Sequence, residues 1–274
     1  MSRLSKLYMG TNTKMYKTPV HAVRHLARLT ELCSDIPPDV LQLFIIPSYT
    51  SIEGMAKLTT RDAIMVGAQS IGYEEEGQYT GEISPLMLSE VGADLVMVGH
   101  SERRHTFLES DFDEERRVRC AIEHDFTTLL CVGETLEQKQ YGVSREALAV
   151  QLKIGLHSVT ASQANDKLWI AYEPVWAIGV NGVPADESYA NAMHGEIKAA
   201  LSEIFGSEIG GDIPVLYGGS VNLQNAEKLI RQPNIDGLFI GRGAWDADNF
   251  NSIIRAVLPL FQERKGSVRS GKEW

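Results

Sequence analysis

Leu168-Trp169-Ile170-Ala171-Tyr172-Glu173-Pro174-Val175-Trp176-Ala177-Ile178-Gly179 reads as a short buried strand that ends on a carboxylate and runs into proline and glycine. The run from Leu168 to Tyr172 carries no ionisable group, so Glu173 is the first charge the strand delivers. In a barrel of parallel strands the carboxyl ends of the strands are where reacting groups collect. Pro174 stiffens the exit, while Gly179 and Gly182 allow the backbone angles a hinged loop needs. The plainer reading is a surface acid before an ordinary turn, and Glu173 alone favours function only modestly.

The rest of the chain supplies the barrel. Short β-rich runs at Leu7 to Met9, Gln42 to Ile46, Ile64 to Ala68, Leu95 to Val98, Thr128 to Val132, Leu168 to Tyr172, Val215 to Tyr217 and Leu238 to Ile240 alternate with amphipathic stretches. The latter include Val20 to Leu32, Glu114 to His124, Ser144 to Val159, Ser188 to Ile204 and Leu223 to Arg231. Eight such alternations predict a single α/β domain over 1–274, a (β/α)8 barrel. A doubly wound open sheet is the runner-up, but its glycine fingerprint is missing after the first strand, where Gly10-Thr11-Asn12 stands.

A chain of 274 residues with 43% hydrophobic content suffices for a large core. The net charge of -10 argues against non-specific nucleic-acid binding, leaving an anionic substrate to be held by local groups. Cys33, Cys120 and Cys131 lack the spacing of a metal site or a redox motif, which points to a reducing compartment. With no signal-length apolar segment and no membrane span, a cytoplasmic protein is expected. The charge-rich end from Glu263 to Lys272 reads as a solvated tail, flexible over 264–274. No metal cluster or nucleotide motif is present, so no cofactor is expected.

Polar chemistry gathers where the predicted strands end: Asn12 and Lys14, Gln69, His100, Cys131 with Glu134, Glu173, Gly218-Gly219-Ser220 and Gly241-Arg242-Gly243. His100 opens a helix, where the positive end of the dipole favours a neutral imidazole that can donate to a carbonyl oxygen. The alternative is a histidine that only caps the turn. Lys14 offers fixed positive charge to a developing enediolate or a phosphate, and Asn12 can orient it, although a lone lysine is more often solvated. The two glycine turns present backbone N–H groups to an anion, as barrels do after strands seven and eight. Cys131 reads as a packing residue, and Glu102 either supports Lys14 or forms only surface pairs.

From Gly10 to about Trp245 these motifs resemble the triosephosphate isomerase family, whose fold is the TIM barrel. The markers are Asn12 with Lys14-Met15, Gly67-Ala68-Gln69, Tyr79 to Pro85, Gly99 to Arg104, Cys131 to Thr135, Ala171 to Gly179 and Tyr217 to Val221. The resemblance implies Glu173 as the base that moves a proton between adjacent carbons and His100 as the neutral electrophile. Lys14 and Asn12 supply positive potential, with Glu102 as a supporting carboxylate. It implies a lid from Pro174 through Val175, Trp176, Ala177 and Ile178 to about Val183, with Tyr217 as its latch. Gly179, Gly219, Ser220, Gly241 and Arg242 would hold the phosphate. Thr80 reaching a partner's Asn12, and Glu82 pairing with Arg103 across an interface, would make a homodimer.

The chain departs from the family at Thr13 where Trp is usual, Tyr16 where Asn is common, Phe239 for Leu and Arg242 for a second Gly. The lid segment Asn181 to Ala185 and the run Leu238 to Trp245 resemble the branch that isomerises erythrulose phosphates to erythrose phosphate, an aldose-ketose isomerisation of sugar-alcohol catabolism, while the triose reaction of glycolysis is the family's default. The triose reaction shares every catalytic residue. A sugar-phosphate-binding barrel without turnover is the competing class, weakened by the presence of Glu173, His100 and Lys14 together.

Overall fold

The computed structural model describes residues 3–179 and 182–269. Eight parallel strands close on themselves in sequence order. They are β1 (Leu7–Asn12), β2 (Leu41–Ile46), β3 (Ile64–Ala68), β4 (Leu95–Val98), β5 (Thr127–Val132), β6 (Leu168–Tyr172), β7 (Val215–Tyr217) and β8 (Gly237–Ile240). β8 returns to β1, with Gly237 opposite Tyr8 and Phe239 opposite Gly10. Each predicted strand is present, four with the predicted ends and four longer by one to three residues. The longest extension is in β1, which continues to Asn12 and so carries the first site residue on the barrel itself.

Alternation along each strand sorts side chains between two cores. Tyr8, Phe44, Met97, Leu129, Trp169 and Phe239 fill the barrel, and Leu7, Ile45, Val96, Leu130 and Ile170 face the helices outside. Trp169 and Ala171 point inward on β6, and Glu173 shares their parity. Period two therefore aims its carboxylate into the barrel mouth.

The helix expected over Ser144 to Val159 stops at Gly155, which leaves room for a turn before the Thr160 cap of Ala161–Lys167. Leu223 to Arg231 shrinks to Ala226–Ile230. The expected tail is helical as far as Arg269, and Arg264 ties it down by donating to the carbonyls of Ile230 at 2.7 Å and Ile235 at 2.8 Å. Residues 270–274 lie outside the described residues. Among those described, no helix is long and apolar enough to cross a membrane.

Candidate active site

At the end of β1, the Asn12 side-chain oxygen accepts from the Lys14 amide at 2.8 Å and from Gln69 Nε2 at 3.1 Å. Gln69 also donates to the Lys14 carbonyl at 2.8 Å. These bonds hold Lys14 at φ 50, a left-handed conformation costing a non-glycine residue on the order of 1 kcal/mol or more. The turn aims Nζ at Glu102 Oε1, 2.7 Å away.

After β4 the chain turns at Gly99, whose φ of +74 suits glycine. The turn makes His100 the cap of Ser101–Thr106, with Nδ1 accepting from the Glu102 amide at 3.2 Å. A ring nitrogen that accepts an N–H carries no proton, so the neutral ring keeps its proton on Nε2. Nε2 lies 3.5 Å from Glu173 Oε1.

Glu173 and His100 are 3% and 4% exposed, so a carboxylate and an imidazole face each other nearly out of water. The other carboxylate oxygen accepts from the Ser101 amide at 3.2 Å, at the positive end of the same short helix. Gly218 makes the close fit on β7's side: a Cβ there would lie 2.8 Å from Glu173 Cγ. Cys131 is fully buried below, and burial, reinforced by the Glu173 charge, pushes its thiol well up. That favours a packing role over thiolate chemistry.

Pro174 leads into the single 3-10 turn Val175–Ala177. Its anchor is Glu134, to which the sequence reading assigned no role. Buried Glu134 Oε1 accepts from Trp176 Nε1 at 2.8 Å, Tyr189 Oη at 2.9 Å and Tyr172 Oη at 3.1 Å, while its carbonyl accepts the Val175 amide at 3.1 Å. Lys139 Nζ sits 3.4 Å above the Trp176 ring. Burial, with Glu134 adding to it, pushes the Tyr189 phenol up to about 12 and Tyr172 further. Val180 and Asn181, within the expected lid, lie outside the described residues.

One cavity of about 540 Å³ joins these pieces. Asn12, Lys14, His100, Glu102 and Glu173 line it together with Gly179, Gly219, Ser220, Gly241 and Arg242, and with Ala177 and Ile178 from the expected lid. Pro174, Val175, Trp176 and Tyr217 stand behind the wall; the Tyr217 hydroxyl is packed so closely on Gly219 that a Cβ there would lie 2.3 Å away.

The cavity also takes in Tyr16, Phe239 and Trp245, which the sequence marked only as departures or family markers, and Asn222, at the end of the glycine turn after β7, which was given no role of its own. Trp245 Nε1 donates to the Asn12 carbonyl at 2.9 Å and its ring meets Tyr16 at 4.4 Å between centroids. Thr80, Glu82 and Arg103 lie away from the cavity. Within the chain Glu82 pairs with Arg117 at 2.8 Å and Arg103 with Glu109, so both members of the expected intersubunit pair already have partners. Among the described residues no three His, Cys, Asp or Glu side chains are grouped to hold a metal.

A closed (β/α)8 barrel with a buried carboxylate, a neutral imidazole and glycine-rich turns at the strand ends defines a phosphosugar isomerase. The chain belongs to the triosephosphate isomerase family, whose sequence profile matches residues 7–257. It is 43% identical over 251 residues to an L-erythrulose-1-phosphate isomerase of Rhizobium etli, covering 92% of both chains. The enzyme of the same name from Brucella abortus is 39% identical over 251 residues, covering 92% of this chain and 96% of its own. A solved triosephosphate isomerase from Bartonella henselae superposes with a TM-score of 0.81 at 30% identity, over 92% of this chain and 98% of that one.

Proposed function

We propose that this isomerase acts on L-erythrulose 1-phosphate, with Glu173 as the base and His100 as the electrophile. The observation that carries the mechanism is the buried Glu173 and His100 pair, 3.5 Å apart in a cavity that the glycine-rich turns after β7 and β8 also line. The substrate follows from the relatives of that name at about two fifths identity.

In L-erythrulose 1-phosphate the C1 oxygen is esterified, so the carbonyl at C2 can move only to C3. Glu173 takes the proton from C3, which forms a cis-enediolate across C2 and C3. The His100 Nε2–H donates to the enediolate oxygens and relays a proton between them, while Lys14, oriented by Asn12 and Glu102, stabilises the charge. Return of the proton at C2 completes the transfer without net oxidation, so from this substrate the product is the 4-phosphate of erythrulose, a ketose, and not the erythrose phosphate that the resemblance implied. With dihydroxyacetone phosphate the same steps interconvert a ketose and an aldose. The two substrates differ by a hydroxymethyl on the carbon that loses its proton.

The lid closing from Pro174 would exclude water from the enediolate, with Tyr217 as latch. We read the chain as a homodimer through Thr80, Glu82 and Arg103, supported by Met15, Phe107 and Leu108, which are 93%, 64% and 80% exposed. The cytoplasm is the compartment that suits three free, buried cysteines.

The test is kcat/KM measured in parallel for L-erythrulose 1-phosphate and dihydroxyacetone phosphate. A preference for the tetrulose is expected, and a preference for the triose would reassign the substrate. Turnover of neither would overturn the catalytic reading in favour of a sugar-phosphate-binding barrel.

A further inference from the structure

Arg242 occupies the last strand-end turn, on Arg242–Ala244, and its side chain is exposed at the cavity mouth. Its Nη2 donates to the Gly179 carbonyl at 3.2 Å, bridging from the turn after β8 to the lid after β6. Among the described residues no carboxylate lies within ion-pair distance of this guanidinium. Lys14, the other cation on the cavity wall, is instead held by Glu102 at 2.7 Å. Among the described residues Arg242 therefore has one hydrogen bond, to a neutral acceptor, and no neutralising charge. It lines the same cavity as Gly219, Ser220 and Gly241.

A phosphate dianion is a stronger partner for a guanidinium than a peptide carbonyl, because charge-assisted bonds are roughly twice as strong and can be bidentate. We propose that the Arg242 side chain, and not only its amide, anchors the substrate phosphate, exchanging the Gly179 carbonyl for the phosphate as the ligand enters. This rests on the cavity being a phosphosugar site, and it gives the site a cationic phosphate ligand where the backbone amides would otherwise act alone.

The probe is inorganic phosphate, its binding measured by calorimetry at low and moderate salt in the full chain and in Arg242→Gln, Arg242→Lys and Arg242→Gly. Arg242→Gln removes the charge and leaves a shorter, neutral polar side chain at the turn, while Arg242→Lys keeps the charge. The dissociation constant is expected to rise about tenfold or more in Arg242→Gln and Arg242→Gly, with a flatter salt dependence, and to be largely restored in Arg242→Lys. In turnover the loss should fall on KM more than on kcat. Phosphate affinity unchanged in both Arg242→Gln and Arg242→Gly overturns the proposal while leaving the phosphosugar site standing. Failure of the unaltered chain to bind phosphate overturns both. Glu173→Gln, which should bind phosphate like the unaltered chain, shows that the assay reads the anion site and not the base.

Discussion

The two ends of the cavity are built differently. Around Asn12, His100 and Glu173 each group is nearly buried and has a polar neighbour from another strand-end loop: Gln69 for Asn12, Glu173 for His100, the Ser101 amide for Glu173. At the rim, Arg242 is exposed and has one bond to the lid, while Tyr16 is 69% exposed and rests on Trp245. On the proposed mechanism the buried set is the reacting end, and a fixed geometry suits it, since small misplacements cost orders of magnitude in rate. The departures Tyr16 and Arg242 fall at the rim, where side chains can change without disturbing the buried pair.

The sharpest break of that contrast is Glu173→Gln. The amide keeps the shape but cannot take a proton, so kcat should fall by about a thousandfold or more, with phosphate binding retained. Turnover close to that of the unaltered chain would remove Glu173 from its role.

A middle effect is expected at Glu134, which lies behind the lid and belongs to neither end. Glu134→Gln leaves one acceptor oxygen and an NH2 among the donors of Trp176, Tyr172 and Tyr189. Unfolding free energy should drop by about 2 kcal/mol in denaturant titrations, with kcat also lowered. An unchanged unfolding midpoint would show that the lid is anchored elsewhere.

An effect on stability alone, with none expected on turnover, separates the scaffold from the site. Glu114 is fully buried without a hydrogen-bond partner, and burial, partly offset by Arg104, pushes its carboxyl up from 4.5 to about 7. A raised pKa in the folded state gives stability that is present below pH 4.5 and lost as pH rises through about 7. His194 works in the opposite sense. Burial lowers its pKa from 6.5 to about 3, so its contribution is present above pH 6.5 and lost as pH falls through about 3. The difference between the unaltered chain and Glu114→Gln removes the histidine term. That difference should grow against the unaltered chain by roughly 2–3 kcal/mol from pH 4.5 to 8. A pH-independent difference would place Glu114 in a relaxed, hydrated site.

The sequence carried the reacting end better than the rim, for physical reasons. Strand periodicity and the break at Glu173-Pro174 are local signals, and parity along β6 aims the carboxylate. Gly99-His100 is local too: a turn and a cap read within a few residues. Trp245 meeting the Asn12 carbonyl is a contact across 233 residues, created only when β8 closes onto β1. No local pattern announces it. Glu134 was visible in its motif, but its task depends on Tyr172, Trp176 and Tyr189 converging from a strand, the lid and the helix Glu187–Phe205. The Glu82 and Arg117 pair was hidden for the same reason, since Arg117 arrives from the helix Asp111–Glu123.

The most direct test follows the proton. L-erythrulose 1-phosphate incubated with the enzyme in deuterium oxide and followed by NMR should convert to the 4-phosphate, with carbon-bound deuterium entering only at C3 of each ketose, the carbinol carbon beside the carbonyl, and no conversion by Glu173→Gln. Deuterium at another carbon, or conversion by Glu173→Gln at the unaltered rate, would contradict a proton transfer carried by the strand-end carboxylate.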